Sequence, residues 1–238
     1  MPLQTIQPQR LYRKIAEQLR ALISTGEFAV GTRLPAEREL ARQLGVSRPS
    51  VREALIALEV EHVIEVRTGS GIYVLKPKAR APARKKTAAV VEWGPLELMR
   101  ARELVESEVA ALAARNAKKA DLQLIGAALQ QMRAQVAEGL IPREGDEAFH
   151  NAIAQACGND VLRDTVLGYW QARRGPLFER LGDYFENPAS WHAALVEHAA
   201  VLEAIRSHDA STARNAMQAH LKKAYTRYSA SWRRANSS

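Results

Sequence analysis

The stretch "GTRLPAERELARQLGVSRPSVREALIALEVEHVIEVRTGSGIYV", residues 31–74, decides the fold of the first third of the chain. Its first part places Leu40 and Leu44 at helical spacing, and Gly45 then provides a turn. A second helix follows, with Ser47 as its N-cap and a proline in its first turn, where the missing amide hydrogen costs nothing. Two helices joined by a short turn are typical of a helix-turn-helix.

The second of these helices has two different faces. Its apolar positions are expected to face a core: Val51, Leu55 and Leu58. Its amino-terminal end is polar, and we expect the side chains there to point outward: Arg48, Ser50 and Arg52. In helix-turn-helix proteins this end of the second helix enters the major groove of DNA.

The rest of the stretch predicts a β-hairpin. Two β-branched runs, residues 63–66 and 72–75, flank a turn that contains Gly69 and Gly71. Glycines at the tip let the backbone approach a phosphate closely. A further helix is predicted upstream, in "RLYRKIAEQLRALIST", with Leu11 among its apolar positions and Gly26 after its end. Together these elements predict a winged helix-turn-helix.

Charge divides the chain into two unequal parts. Residues 1–86 contain 16 Lys and Arg against 8 Asp and Glu, whereas the remainder contains 18 of each kind. All of the net charge of +8 therefore lies in the first third, which indicates a nucleic-acid-binding module joined to a neutral one. We predict a DNA-binding domain over residues 1–76, a basic linker over 77–94 and a second domain over 95–238.

No apolar run approaches the roughly 18 residues that span a bilayer, and the first residues lack the apolar core of a signal peptide. A cytoplasmic protein with no membrane partner is expected. The one cysteine, Cys157, has no partner for an internal disulfide, and its spacing after Ile153 and Ala154 favours a small buried residue over a reactive thiol.

The second domain is predicted to be all-helical. From Pro95 onward the apolar residues recur with a period of 3.6 and never with a period of 2, which argues against a Rossmann-like α/β domain. About six helices are expected, over residues 96–117, 120–139, 145–159, 160–181, 189–209 and 210–232. The predicted fold is mostly α, with an N-terminal winged helix-turn-helix and a C-terminal all-α helical bundle.

Three of the six histidines lie on apolar faces of these helices, namely His150, His198 and His220. A single buried histidine is usually a hydrogen-bonded core residue. Three of them are harder to explain by packing, because Asp146 lies one turn before His150 on the same side and buried polar groups without partners are costly.

A divalent metal ion would satisfy these four side chains together in the bundle interior. Zinc is the default for an imidazole-rich site, while a carboxylate ligand and open coordination positions also suit manganese or nickel.

The quoted stretch resembles the DNA-binding domain of GntR-family transcription regulators, over nearly all of residues 10–75. The resemblance implies DNA contacts by residues of the two helices and the wing: Arg38, Ser47, Arg48, Pro49, Ser50, Arg52 and Gly69. An arginine guanidinium can bridge guanine O6 and N7, which a lysine does less selectively.

The second domain is similar to the helical ligand-binding domain of the FadR subfamily, called FCD. Its metal-binding branch carries an Asp-x-x-x-His pair and two later histidines, matched here by Asp146, His150, His198 and His220. "GPLELMRARELVES", "FHNAIAQACGN" and "WQAR" resemble the hexuronate-responsive repressors. The resemblance implies a carboxylate effector at the metal, and Arg102 and Arg173 are candidates to bind it. The alternative for these arginines is surface salt bridges with glutamates such as Glu106.

We therefore expect a ligand-responsive repressor, acting as a homodimer on a palindromic double-stranded operator. Its effector would be a small carboxylate, above all a sugar acid. A metal-dependent enzyme tethered to DNA is the first alternative, but the sequence has no HExxH motif and Glu147 points about 100° away from the ligand pair. An architectural DNA-binding protein is the second alternative, and it leaves the buried histidines unexplained.

Overall fold

The computed structural model describes residues 10–67, 69–76 and 93–229. Within these ranges the chain forms ten helices and one two-stranded antiparallel sheet. Most of the predicted basic linker, including Lys78, Arg80, Arg84, Lys85 and Lys86, lies outside the described residues.

The first domain begins with three helices, α1 (Leu11–Ser24), α2 (Glu37–Leu44) and α3 (Arg48–Val60). The predicted signals act where expected: Gly45 adopts the left-handed conformation after α2, and the Ser47 hydroxyl accepts a hydrogen bond from the Ser50 amide at the start of α3. Leu11 is an exception, because it is 52% exposed while Tyr12 takes the buried position beside it.

The predicted wing is confirmed as a hairpin of β1 (Ile64–Arg67) and β2 (Gly71–Val74), with Ile64 opposite Val74. Gly71 has a φ of 136°, and a Cβ atom there would lie 2.4 Å from Arg33 Nε. Glycine is favoured here because other residues are strained at this φ, and a Cβ atom would also displace the Arg33 side chain.

Over residues 93–229, the described part of the second domain, there are seven helices rather than about six. They are α4 (Pro95–Asn116), α5 (Lys119–Ala137), α6 (Arg143–Ala156), α7 (Asp160–Arg173), α8 (Pro176–Phe185), α9 (Pro188–Arg206) and α10 (Ala210–Ser229). The segment predicted as one helix over 160–181 is two. Because the ring of Pro176 would clash with the preceding turn, α7 ends at Arg173 and α8 starts at the proline.

Helix α4 lies at the centre of this domain. It packs along α10 and also contacts α6, α7 and α9, while α5 covers the outer side of α6 and α9. The interior between α4, α6, α9 and α10 holds the histidines, and Cys157 is buried at the end of α6, as its spacing predicted. None of the helices in the described ranges is long and apolar enough to span a membrane.

The two domains meet at α3. The Glu53 carboxylate accepts a hydrogen bond of 2.6 Å from the Leu96 amide at the start of α4. Near the other end of α3, Glu59 accepts hydrogen bonds from Arg180 and Tyr184 of α8. Helix α3 therefore carries both the polar end predicted to read DNA and the contact with the helical domain.

Candidate metal centre and DNA-binding face

Three helices of the second domain bring four potential metal ligands together. Asp146 and His150 come from α6, His198 from α9 and His220 from α10. One donor atom of each residue lies within 4.8 Å of the others, and all four residues are buried. The expected convergence of these side chains is present, and metal binding by them stays a prediction.

The geometry leaves one nitrogen without a hydrogen bond. His198 Nε2 lies 3.0 Å from Asp146 Oδ1, and His150 Nε2 lies 3.6 Å from the same oxygen. Among the described residues, His150 Nε2 has no hydrogen-bond partner although it is fully buried. Burying an unpaired polar atom is costly, so this nitrogen fits a cluster that holds a cation.

The Nδ1 atom of each of the three imidazoles has a hydrogen-bond partner within the protein. His150 Nδ1 lies 2.5 Å from Glu106 Oε2, and His220 Nδ1 lies 2.8 Å from Glu197 Oε2. His198 Nδ1 lies 2.6 Å from the Ala194 carbonyl oxygen. These contacts leave Nε2 of all three rings for the centre, which is how metal-binding histidines are usually oriented.

The sequence does not identify Glu106 and Glu197 as partners of the histidines. Glu197 adjoins a candidate ligand in sequence, but Glu106 comes from α4, 44 positions before His150. Their roles depend on helix packing, which periodicity does not give.

The ionisation states of the cluster suit a cation. Burial by itself would raise the pKa of Glu106, but Arg102 and His150 outweigh it and lower that pKa to about 2. Burial lowers the pKa of His220 to about 3, and His198 beside it acts in the same direction. Neutral imidazole is the form in which histidine binds a metal, and an ionised Glu106 keeps the His150 proton on Nδ1.

A cavity adjoins the cluster. Its empty space, including its open mouth, is about 430 Å³. Its wall includes Asp146, Arg173, Ser190, Trp191, His220 and Tyr228. The indole N–H of Trp191 is buried and has no partner among the described residues, so it can donate to a ligand.

The two candidate effector-binding arginines both line this cavity. Arg173 Nη1 lies 3.3 Å from Asp146 Oδ2, and its guanidinium stacks over Trp170. Arg102 forms an ion pair of 2.5 Å with Glu106 and also stacks over Trp170. The alternative predicted for Arg102, a surface salt bridge with Glu106, is correct about the partner. It is wrong about the location, because both side chains are buried.

Most of the predicted DNA-contacting residues are accessible in the first domain. Arg38, Ser47, Arg48 and Gly69 are exposed, and Pro49 and Ser50 are half-buried at the start of α3. Gly69 adopts a φ of 77° at the tip of the wing. The accessible set therefore combines the start of α3, the outer side of α2 and the wing.

Arg52 departs from the prediction that it points outward. It is only 1% exposed, because α8 and α10 of the second domain cover the face of α3 on which it lies. Glu37, which the sequence does not single out, accepts hydrogen bonds from Arg52 Nε at 3.0 Å and from Arg52 Nη2 at 2.8 Å and 2.9 Å. Helical periodicity places Arg52 on the side of Arg48, but it does not reveal what packs there.

Two known protein families match the chain. The bacterial regulatory proteins of the gntR family match residues 11–74, and the FCD domain matches residues 97–223, which is more than half of the chain. The chain belongs to the GntR family and carries an FCD domain. The predicted boundaries at residues 76 and 95 stay predictions.

This GntR-family chain is similar to regulators of the Uxu operon and the Exu regulon. It is 37% identical over 218 residues to the Uxu operon transcriptional regulator of Escherichia coli strain K12, covering 90% of this chain and 85% of that protein. It is 36% identical over 220 residues to the Exu regulon transcriptional regulator of the same strain, covering 91% and 83%.

A solved structure supports the fold of this family member. The E. coli protein McbR/YncC has a TM-score of 0.50 and 23% sequence identity, covering 91% of this chain and 95% of that chain. At this identity the likeness concerns the fold alone. The relatives are transcription regulators, so the GntR-family chain is a DNA-binding transcription regulator and not an enzyme.

Proposed function

We propose that the chain is a homodimeric repressor of hexuronate operons that leaves its operator when a hexuronate binds at a divalent metal ion in the FCD domain. The observation that carries the proposal is the buried, unpaired His150 Nε2 within a cluster of three imidazoles and one carboxylate. This cluster forms part of the wall of a cavity lined by arginines. A regulator that binds DNA works in the cytoplasm, where we place it.

The four ligands would be Asp146, His150, His198 and His220, with zinc as the first candidate and manganese or nickel as alternatives. A bound ion would supply Lewis acidity that holds an anionic ligand beside it. The chain's own contribution is orientation, because Glu106, Glu197 and the Ala194 carbonyl fix the three rings.

The cavity wall favours a hydroxylated carboxylate. Arg173 and Arg102 offer guanidinium donors for a carboxylate, although both are already paired with acidic side chains. Ser190, Trp191 and Tyr228 add polar groups suited to hydroxyls. The names of the two relatives above refer to the Uxu operon and the Exu regulon, and the sequence resembles the repressors of glucuronate and galacturonate use.

Two copies of the chain would read a palindromic operator, with one α3 helix in each of two successive major grooves. Arg38, Ser47, Arg48, Pro49 and Ser50 would contact DNA near the start of α3, and Gly69 would bring the wing close to a phosphate. Arg52 would join them only after leaving its buried position. Sedimentation of the free protein at twice 26.4 kDa is expected; a monomer would contradict the dimer.

One set of variants tests the metal and the effector together. His198→Ala removes a ligand from α9, whereas His192→Ala removes an exposed histidine of the same helix whose Nδ1 contacts the Pro188 carbonyl. Elemental analysis should find one divalent ion per chain in the wild type and in His192→Ala, and none in His198→Ala. If the wild type holds no stoichiometric ion, the metal site is wrong.

The same proteins are then titrated with D-glucuronate, D-galacturonate and L-lactate in a thermal-shift assay. A hexuronate at a hundred times its Kd should stabilise the wild type by about 2.7 kcal/mol and release it from operator DNA. His198→Ala should show neither effect. If only lactate stabilises the wild type, the effector is a shorter hydroxy acid and not a hexuronate.

A further inference from the structure

The guanidinium of Arg52 lies between the first domain and the wall of the cavity. On one side it forms the bidentate ion pair with Glu37. On the other side its Nη1 donates a hydrogen bond of 3.4 Å to the Tyr228 carbonyl oxygen, and its guanidinium lies 5.7 Å from the centre of the Phe185 ring. An arginine held in this way cannot reach DNA.

Two of the residues that cover Arg52 also line the cavity. Phe185 is the last residue of α8, and Tyr228 lies one residue before the end of α10. Both belong to the same cavity wall as Asp146, Arg173 and His220. The Tyr228 hydroxyl donates to Glu186, which is also part of this wall. Phe185 and Tyr228 therefore contact both Arg52 and the space for an effector.

We propose that Phe185 and Tyr228 form an autoinhibitory contact, through which a ligand in the cavity keeps Arg52 covered and so lowers operator affinity. This inference rests on the proposed function for the identity of the ligand, a hexuronate. In this proposal Arg52 is covered in one form of the regulator and released in the other. The ends of α8 and α10 control which of the two forms is populated.

The direction of the effect follows from linkage. A ligand gains contacts with Phe185 and Tyr228 only in the arrangement in which these residues form the wall. That arrangement is also the one in which they cover Arg52, so ligand binding shifts the population toward the covered form. By reciprocity, operator DNA, which favours the released form, weakens ligand binding by the same factor.

The other contact between α3 and α8 is separate from the cavity. Glu59 binds Arg180 at 3.0 Å and Tyr184 at 2.7 Å, and neither Arg180 nor Tyr184 lines the cavity. This contact holds the carboxyl-terminal end of α3 whether or not a ligand is present. The ligand can therefore act on the end of the helix that carries Arg52 without separating the two domains.

The test uses the whole 238-residue chain, a fluorescent operator duplex and two matched variants of α8. Phe185→Leu keeps an apolar wall but removes the ring under Arg52, whereas Phe178→Leu makes the same change at a buried phenylalanine of α8 that does not line the cavity. Tyr228→Phe removes the hydrogen bond from the Tyr228 hydroxyl to Glu186. It is a second variant that weakens the packing of the cavity wall. Operator affinity is measured by anisotropy without ligand and with D-galacturonate or D-glucuronate.

Without ligand, Phe185→Leu should bind the operator about two- to fivefold more tightly than the wild type, which is the range of a weak cation–π contact. Tyr228→Phe should act in the same direction, and Phe178→Leu should match the wild type. With hexuronate, the wild type should lose affinity by about 5- to 150-fold, and Phe185→Leu by a clearly smaller factor.

Equal effects of Phe185→Leu and Phe178→Leu, or no gain in ligand-free affinity from Phe185→Leu and Tyr228→Phe, would overturn the inference. If no hexuronate binds the wild type, the proposed effector is wrong, and the ligand-free comparison still decides whether the contact is autoinhibitory.

Discussion

The three imidazoles of the cluster are oriented by their Nδ1 partners. Neutral histidine has one donor and one acceptor nitrogen, so a carboxylate or carbonyl at Nδ1 holds the proton there and leaves Nε2 as an acceptor. Glu106, Glu197 and the Ala194 carbonyl act in this way on three different rings. A set of buried histidines serving only as packing would not need a partner at the same nitrogen in each ring.

At the scale of single residues, substitutions of Arg48 and Arg42 distinguish sequence-specific contacts with DNA bases from non-specific electrostatic attraction to DNA. Arg48 begins α3, has a side chain that is 48% exposed and contacts Glu37 at 2.9 Å. Arg48→Ala should weaken operator binding by about 1–3 kcal/mol and reduce the preference for the operator over unrelated DNA. Anisotropy titrations with both duplexes at fixed salt measure the two effects.

Arg42→Ala is the matched control, because Arg42 is an exposed arginine of α2 paired with Glu39. It should change operator and unrelated DNA equally and by less. A loss of operator preference in Arg42→Ala but not in Arg48→Ala would contradict the assignment of α3 as the recognition helix.

At the scale of helices, Gly145 sets the distance between α5 and α6. A Cβ atom there would lie 2.6 Å from Met132 Cγ and 3.0 Å from the Met132 backbone nitrogen. Gly145→Ala should therefore push α6 outward and cost about 1–3 kcal/mol of stability. Because Asp146 is the next residue, the ion content after dialysis should fall as well, and melting curves with elemental analysis measure both.

Gly126→Ala provides the comparison on α5. Nothing lies within 4 Å of a Cβ atom at Gly126, so the alanine fits and should raise stability by up to about 1 kcal/mol through helix propensity. If Gly145→Ala is as stable as Gly126→Ala, the close packing of α5 and α6 does not limit the position of the ligands.

At the scale of the whole molecule, Glu53 joins the DNA-binding domain to the start of α4. Burial raises its pKa to about 7, although the Leu96 amide opposes the shift. A carboxyl whose folded pKa exceeds its unfolded value of about 4.5 contributes stability below pH 4.5 and loses it as the pH rises toward 7. The loss is at most about 1.4 kcal/mol per pH unit.

Relative to the wild type, Glu53→Gln should therefore gain stability as the pH rises from 4.5 to 7. Glu61→Gln, at an exposed glutamate that pairs with Arg20 just after α3, should keep the wild-type dependence. Melting temperatures of the three proteins across this range give the comparison. Parallel curves for Glu53→Gln and the wild type would show that the junction is not sensitive to this carboxyl.

The sequence by itself determined most of the secondary structure, the winged helix-turn-helix and the inward direction of His150, His198 and His220. These features depend on local signals, namely caps, glycine turns and the 3.6-residue period, which act over a few neighbouring residues. The same signals located Asp146 one turn from His150. The break at Pro176 was also a local signal, and it was missed because the apolar period continues across it.

Only the tertiary structure decided which side chains meet across the chain. The contact of Glu106 with His150 and that of Arg52 with Tyr228 join residues 44 and 176 positions apart. Periodicity says which face of a helix is buried, but the identity of the neighbour depends on how the helices pack. For that reason Arg52, which belongs to the helix predicted to read DNA, is covered by the domain that holds the candidate metal centre.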